Sequence, residues 1–348
     1  MTTSAIAPTA HKRIQTDDGF LLPDPGRLEK ALGPEWARII RGLITNPLSV
    51  TGLLVVILFL LIAAAAPVLA PPLNAMTDPY QIPRDGFGPT PQEPGSAWDR
   101  DVPPLPFWYE SVTGKTEWVH LLGTTSGQFD IYYGIVWGTR TALLVGVLVV
   151  FAGLFIGLIV GSISGYYGGV TDDILMRITE IFMAFPFLLA ALTLSAILVP
   201  LFGRGIWPSV IALISFGWMG YARVIRGDIL ATKERDYVLS ARTVGARDGT
   251  ILLRHILPNA IFTTMVLASL DVGAIVLTFA ALSFLGVGTD IGYADWGQVI
   301  SFARSYILSL DTYWYIIVYP GIALILFGLG WNLIGDGLRD VLDPRMKK

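Results

Sequence analysis

The sequence contains no cysteine among its 348 residues, so disulfides, thiolate zinc sites and iron–sulfur clusters are excluded. Histidine is nearly as scarce. His11, His120 and His255 stand too far apart for a local metal motif of the His-Glu-x-x-His kind. No metal site, bound cofactor or catalytic group is expected in this chain, and redox or zinc-hydrolase chemistry has no footing. Charge is low as well: Asp, Glu, Lys and Arg make up 15% of the residues, against about 25% in an ordinary soluble domain. The net charge of −3 offers nothing to nucleic acid. What fills the space is apolar: 53% hydrophobic residues and 37 glycines, a mixture suited to packed membrane helices.

Uncharged apolar runs long enough to cross about 30 Å of hydrocarbon fall near 48–70, 141–164, 181–202, 205–222, 261–287 and 313–335. The expected fold is therefore an all-α membrane protein with six transmembrane helices. The first run is 23 residues long and follows 47 others, which suits a retained span better than a signal peptide cleaved near Ala63 to Ala66. With the N-terminus inside, 18 Lys and Arg fall in inner segments and five in outer ones, with Arg140 at a span end. Positive residues stay on the cytoplasmic side, so both termini are expected there.

This divides the chain into a cytoplasmic N-terminal segment 1–47, a first span 48–70, an extracytoplasmic segment 71–138, a five-helix core 139–335 and a cytoplasmic tail 336–348. Within 27–41, basic and apolar positions alternate at near-helical spacing, which predicts a short amphipathic helix on the inner membrane surface, against lipid. Ten prolines in 71–106 rule out helix interiors and central strands and predict an irregular, extended stretch. Trp108, Tyr109, Trp118, Tyr132 and Tyr133 follow it. They suit either a spacer lying on the protein or a surface that docks an external partner.

The inner loop 223–258 concentrates seven of the 24 basic residues. Its pattern predicts two short helices, 237–244 and 249–256, broken at Gly245 and stopped by Pro258. Such a unit is either a projecting element to be gripped or a basic loop that enforces topology. Glycines recur every fourth residue at Gly153, Gly157, Gly161, Gly165 and Gly169, so another helix can approach closely, from a second subunit or from within the chain. Pro186 is expected to kink the third span and leave the Phe182 carbonyl free. Asp271 is the one acid near the middle of a span, and a charge there needs a partner, water or a cavity.

The loop resembles the cytoplasmic "EAA" loop of ABC-transporter permeases. Ala241 and Gly245 match its pattern, and Arg254, His255, Ile256, Leu257, Pro258 and Asn259 match the closing form typical of oligopeptide and dipeptide importers. Leu239 and Ser240 stand where that pattern has Glu and Ala. The resemblance extends over about 46–345 and includes "GTRTALLVG" at 138–146, "GYYGGVTDDILMRITEIFMAFP" at 165–186, "KERDYV" at 233–238, "LSFLGVG" at 282–288 and "IGDGLRDVLDPR" at 334–345. It implies a type I importer permease of a prokaryotic inner membrane. Such a subunit pairs with a second homologous permease and receives peptides or another small solute from an extracytoplasmic binding protein. It also implies that Tyr237, Ala241, Gly245, Arg254, His255, Leu257 and Pro258 belong to a coupling element seated on cytoplasmic ATPase subunits, two per transporter, which hold the ATP and Mg. Related permeases carry an acid about two turns beyond Asp271, where this chain has Phe279.

The chain offers no engine of its own. Its one Gly-Lys-Thr, at 114–116, would need glycine at position 109 to complete a phosphate-binding loop, and Tyr109 is there. A secondary transporter or channel driven by an ion gradient would place charges in several spans, and an intramembrane hydrolase would cluster a nucleophile with a base. Neither pattern is present, which leaves Asp271 as the candidate pathway residue and the inner loop as the candidate coupling site.

Overall fold

A computed structural model describes residues 13–15, 21–23, 34–74 and 76–342, with side chains from Ile40 onward. The part of the expected surface helix before Pro34 and the residues beyond Leu342 lie outside the described residues. Arg13–Gln15 (β1) and Leu21–Pro23 (β2) pair antiparallel, and they form the one strand ladder among the described residues. Everything else of regular structure is helical.

Local signals set the first long helix. Pro34–Thr45 (α1) is followed at once by Pro47–Leu69 (α2), with Asn46 between them accepting the Leu48 N–H at 3.0 Å. Pro47 brings the fixed φ of a first turn, and the uncharged run behind it remains helical over 23 residues. Ile131–Tyr167 (α4) begins in the same way, on Asp130, whose side chain accepts from Tyr133 N at 2.7 Å. Its 37 residues amount to roughly 55 Å at 1.5 Å per residue, so α4 outruns the bilayer. The ten residues before the predicted start at 141 are helical despite Arg140 and Thr139, because the cap at Asp130 and packing, not hydropathy, decide where it begins.

The third span departs from the expectation. Gly169–Met183 (α5) and Phe187–Phe202 (α6) meet at an 84° bend. Pro186 is the N-cap of α6 and not an interior residue, and the Phe182 carbonyl is not left free, since Phe185 N donates to it at 3.3 Å. Proline bars the residue before it from continuing a helix, so α5 ends and α6 starts afresh. Counting this pair as one span gives six, with α2, α4, the joined Ile206–Gly217 (α7) and Met219–Thr232 (α8), Asp248–Phe284 (α10) and Tyr315–Leu342 (α13).

Asp236–Thr243 (α9) lies between α8 and α10. Trp296–Ser301 (α11), a 3-10 stretch Phe302–Ser309 and Leu310–Tyr313 (α12) lie between α10 and α13. The main core joins Val145 and Val149 of α4, Tyr221 of α8, Val272, Val276 and Phe279 of α10, Trp296 of α11 and Phe327 of α13. Phe279 is therefore packed core.

At one end of α4 the segment 71–130 has a single short helix, Phe107–Thr113 (α3), and is held by polar contacts. His120 is fully buried, with Nε2 3.2 Å from Asp85 Oδ2, Nδ1 2.8 Å from Asp130 Oδ2 and its ring 4.0 Å from that of Trp98. The ring thus bridges the two carboxyl groups. Burial pushes the Asp85 carboxyl up, but the backbone N–H groups of Arg100 and Asp99, His120 and Gln92 together hold it below its ordinary value. This contribution is full above the usual carboxylate range and is lost as pH falls through the lowered Asp85 value. Removing the imidazole with His120→Ala takes one hydrogen bond from each of the two buried carboxyl groups, at a cost of roughly 1.5–3 kcal/mol per bond. The variant is expected to expose 71–130 to trypsin in membranes, with cleavage at Arg84, Arg100 and Lys115, while the helical bundle stays protected.

Candidate functional site

At the opposite end of α4, α9 stands out from the bundle on a short stem. Val238 is fully buried and joins Tyr166, Ile225, Ile229, Ile251 and Ile256 in a compact cluster that Ala241, Ala246 and Leu257 cover. Tyr166 Oη donates to Asp248 Oδ1 at 2.6 Å, and the Arg242 guanidinium lies 5.7 Å from the Tyr166 ring. The base of α9 is thus fixed to the ends of α4, α8 and α10. Its tip is bare: Val244 is 88% exposed, and Tyr237 and Leu239 are also exposed.

Gly245 closes α9 with φ +84°, the left-handed conformation that glycine adopts without penalty. Ala246 N donates to Ala241 O at 3.1 Å and Gly245 N to Arg242 O at 2.9 Å, the paired bonds of a Schellman ending, with Ala246 and Ala241 in the same apolar cluster. The chain then reverses and re-enters a helix at Asp248.

The expectation that Pro258 stops the second loop helix is wrong. One helix runs from Asp248 through Pro258 to Phe284, because residues Ile251–Ile256 form a π turn in which Leu257 N reaches back to Leu252 O. The wider turn absorbs the missing Pro258 N–H, and the Asn259 side-chain amide donates to His255 O at 2.7 Å beside it. The loop and the fifth span are therefore a single rigid rod. Arg254 and Pro258 are exposed on it, His255 and Leu257 are half-buried, and Ile251 and Ile256 face the cluster. The buried anchors Val238 and Ile251, and the Tyr166–Asp248 bond across 82 positions, were not singled out in the sequence.

Asp271 lies further along this rod and lines a cavity of about 250 Å³, with Val149 and Val150 of α4, Phe187 of α6, Phe216 of α7 and Tyr221 of α8. Its polar partner there is the buried Tyr221 phenol, which lines the same cavity. Ser269 is not that partner, since its hydroxyl donates to Val266 O at 2.7 Å. Apolar walls around one acid and the hydroxyls of Tyr221 and Thr278 favour a cationic or hydrogen-bonding group.

The glycine stripe of α4 faces α7 and α8 of the same chain. A Cβ at Gly153 would stand 3.2 Å from Gly217 O, one at Gly157 2.8 Å from Trp218 O, one at Gly165 3.0 Å from Arg226 O, and one at Gly161 would collide with Ile225 and Ala222. Gly169 is apart from the stripe, in open space at φ +54°. This packing sets Tyr221 against the cavity.

Among the described residues no group of three or more His, Asp or Glu could hold a metal ion. Comparison with known proteins gives consistent results along the chain. Residues 153–348 match the family described as binding-protein-dependent transport system inner membrane component, and residues 35–86 match the N-terminal TM domain of oligopeptide transport permease C. The glutathione transport system permease protein GsiD of Pectobacterium atrosepticum is 39% identical over 241 residues, 69% of this chain and 78% of that protein. The dipeptide transport system permease protein DppC of Alkalihalophilus pseudofirmus is 33% identical over 325 residues, 93% and 94% of the two chains. A crystal structure of an amino acid ABC transporter with histidines has a TM-score of 0.43 at 18% identity, covering 58% of this chain and 93% of that one. With the family matched over more than half of its length, and a relative matched over nearly all of it, the chain belongs to the binding-protein-dependent transport system inner membrane components.

Proposed function

We propose that the chain forms half of the translocation pathway of an ATP-driven importer of peptides or a similar small solute. The observation that carries this reading is α9: a short helix with a bare apolar and basic tip, anchored by Val238 and by the Tyr166–Asp248 bond to the rod that bears Asp271. Tyr237, Ala241, Gly245, Arg254, His255, Leu257 and Pro258 make up the element and its stem. One of two ATPase subunits, which hold the ATP and Mg, takes its tip, and a second homologous permease completes the pathway. The excess of Lys and Arg on the α9 side supports a cytoplasmic location for that side and for both termini. The segment 71–130 then faces outward, toward the binding protein. The names of GsiD and DppC support a peptide as substrate.

Reconstitution in proteoliposomes tests this. Uptake of labelled glutathione or of a labelled dipeptide should require the second permease, the ATPase, the binding protein and ATP together. Uptake by the chain alone, driven by an ion gradient, would establish a secondary transporter instead.

A further inference from the structure

The broken span α5–α6 is joined to the rest of the chain in an unusual way. At its start, Gly168 and Gly169 adopt φ +67° and +54° in succession with open space around both, a joint between α4 and α5 that no packing enforces. Thr179 is the one buried side chain on α5. Beyond its first turn, α5 and α8 diverge around a groove of about 790 Å³ lined by Asp172, Asp173, Arg177, Glu180, Arg223 and Arg226.

At the far end of α5 the Phe182 ring lies 5.8 Å from Phe216 and 6.1 Å from Trp218, and at the near end a polar contact closes the groove. Arg226 of α8 grips Asp172 of α5 with both edges of its fork, Nε to Oδ1 at 2.6 Å and Nη2 to Oδ2 at 2.5 Å. The Ser164 hydroxyl of α4 donates to the same Oδ1, and Lys233 Nζ donates to Gly165 O at 3.2 Å just beyond. Bidentate, charge-assisted pairing fixes orientation as well as distance. The Asp172 side chain is 14% exposed, so the pair is shielded where it matters. Arg226 lies two turns before the end of α8, and α8 leads directly into α9. At its far end α5 turns through the 84° bend into α6, whose Phe187 is a wall of the Asp271 cavity.

We propose that Asp172 and Arg226 are positioning residues, a clamp through which a displacement of α8 and α9 is passed to α5 and on to the cavity wall. The inference rests on the reading of α9 as the ATPase-docking element. Without the pair, the glycine joint lets the near end of α5 lag behind α8, while Phe182 still touches Phe216 and Trp218 at the far end. With it, α5 must follow.

The chain's lack of cysteine makes a direct test simple. In the assembled transporter, Phe155→Cys on α4 and Ile174→Cys on α5, both exposed, carry spin labels whose separation is measured with and without ATP. The separation should change with nucleotide when the clamp is intact. The change should be lost in Asp172→Asn and in Arg226→Gln, and should return in the exchange Asp172→Arg with Arg226→Asp. ATP consumed per solute imported should rise about tenfold in the single variants and recover in the exchange. A separation that does not respond to ATP with the pair intact, a response that survives in both single variants, or an exchange that restores nothing, overturns the clamp. Single variants that lower only the amount of complex, with normal coupling in what assembles, also overturn it and leave a merely structural pair. If this chain does not stimulate the partner ATPase at all, the docking reading fails. If stimulation is normal while α5 stays fixed, only the clamp fails.

Discussion

Replacing Gly245 by valine is expected to reduce uptake by more than about tenfold while the chain still inserts and its bundle still packs. Gly245 holds φ +84° at the end of an eight-residue helix. A β-branched residue in that region carries strain of roughly 1–3 kcal/mol. The cheapest relief is to unwind the last turn of α9, which breaks the bonds from Ala246 to Ala241 and from Gly245 to Arg242. In a helix this short, a lost turn removes nearly half of the element and displaces the exposed Val244. The buried anchors Val238, Ile251 and Ile256 are untouched, so expression and membrane insertion persist. Gly245→Asn, which tolerates the left-handed region, should retain most of the transport. Normal uptake and normal ATPase stimulation in Gly245→Val would show that the turn has no part in coupling.

The elements that were legible are those set by local chemistry. Asn46 and Pro47 mark the start of α2, and its end falls within a residue of the apolar run. The turn at Gly245 is legible for the same reason. α4 began ten residues earlier than its hydropathy, since Arg140 and Thr139 interrupt an apolar count without interrupting a helix capped at Asp130. That cap was readable in the sequence and hydropathy hid it. Pro186 marked the position of the break in the third span but not its angle, which depends on how α5 is tethered elsewhere.

The departure at Pro258 has a different cause. A proline after a short polar helix reads as a stop, and only the π turn at Ile251–Ile256, a tertiary accommodation to the cluster beneath it, lets the helix continue. Contacts that join distant positions left no trace: Asp172 and Arg226 are 54 residues apart, and His120 lies 35 from Asp85. Periodicity along a helix shows which face is apolar, as the glycine stripe did, but not which helix will meet it. The stripe left two partners open, and the spacing of Gly217, Trp218 and Ala222 around it selects α7 and α8 of the same chain.

Asp271→Asn is expected to lower the uptake of cationic and zwitterionic solutes about tenfold while assembly and basal ATP hydrolysis remain. An ionised carboxylate near the centre of a span costs roughly 2.5–3.5 kcal/mol on insertion scales, a cost that packing alone does not justify. The cavity of about 250 Å³ beside it gives the charge somewhere to act, and the walls from α4, α6, α7 and α8 move if the helices tilt. The carboxylate also has a structural duty, as the polar neighbour of the buried Tyr221 hydroxyl. The two roles separate by substitution. Asparagine keeps the shape and an acceptor for Tyr221 and removes the charge. Leucine removes both, leaving a buried hydroxyl without an acceptor at roughly 1–3 kcal/mol, so Asp271→Leu should reduce the amount of assembled transporter as well as its rate. Tyr221→Phe removes the donor and leaves the charge, and should preserve selectivity for cationic groups. Uptake measured for a zwitterionic dipeptide and for its N-acetylated form, in all three variants, decides between the roles. A pathway acid makes Asn discriminate against the free amino terminus while leaving the acetylated form unaffected. If Asn transports both as the wild type does, and only Leu falls in yield, Asp271 serves Tyr221 and the packing around it, and the path for the amino group lies elsewhere in the bundle.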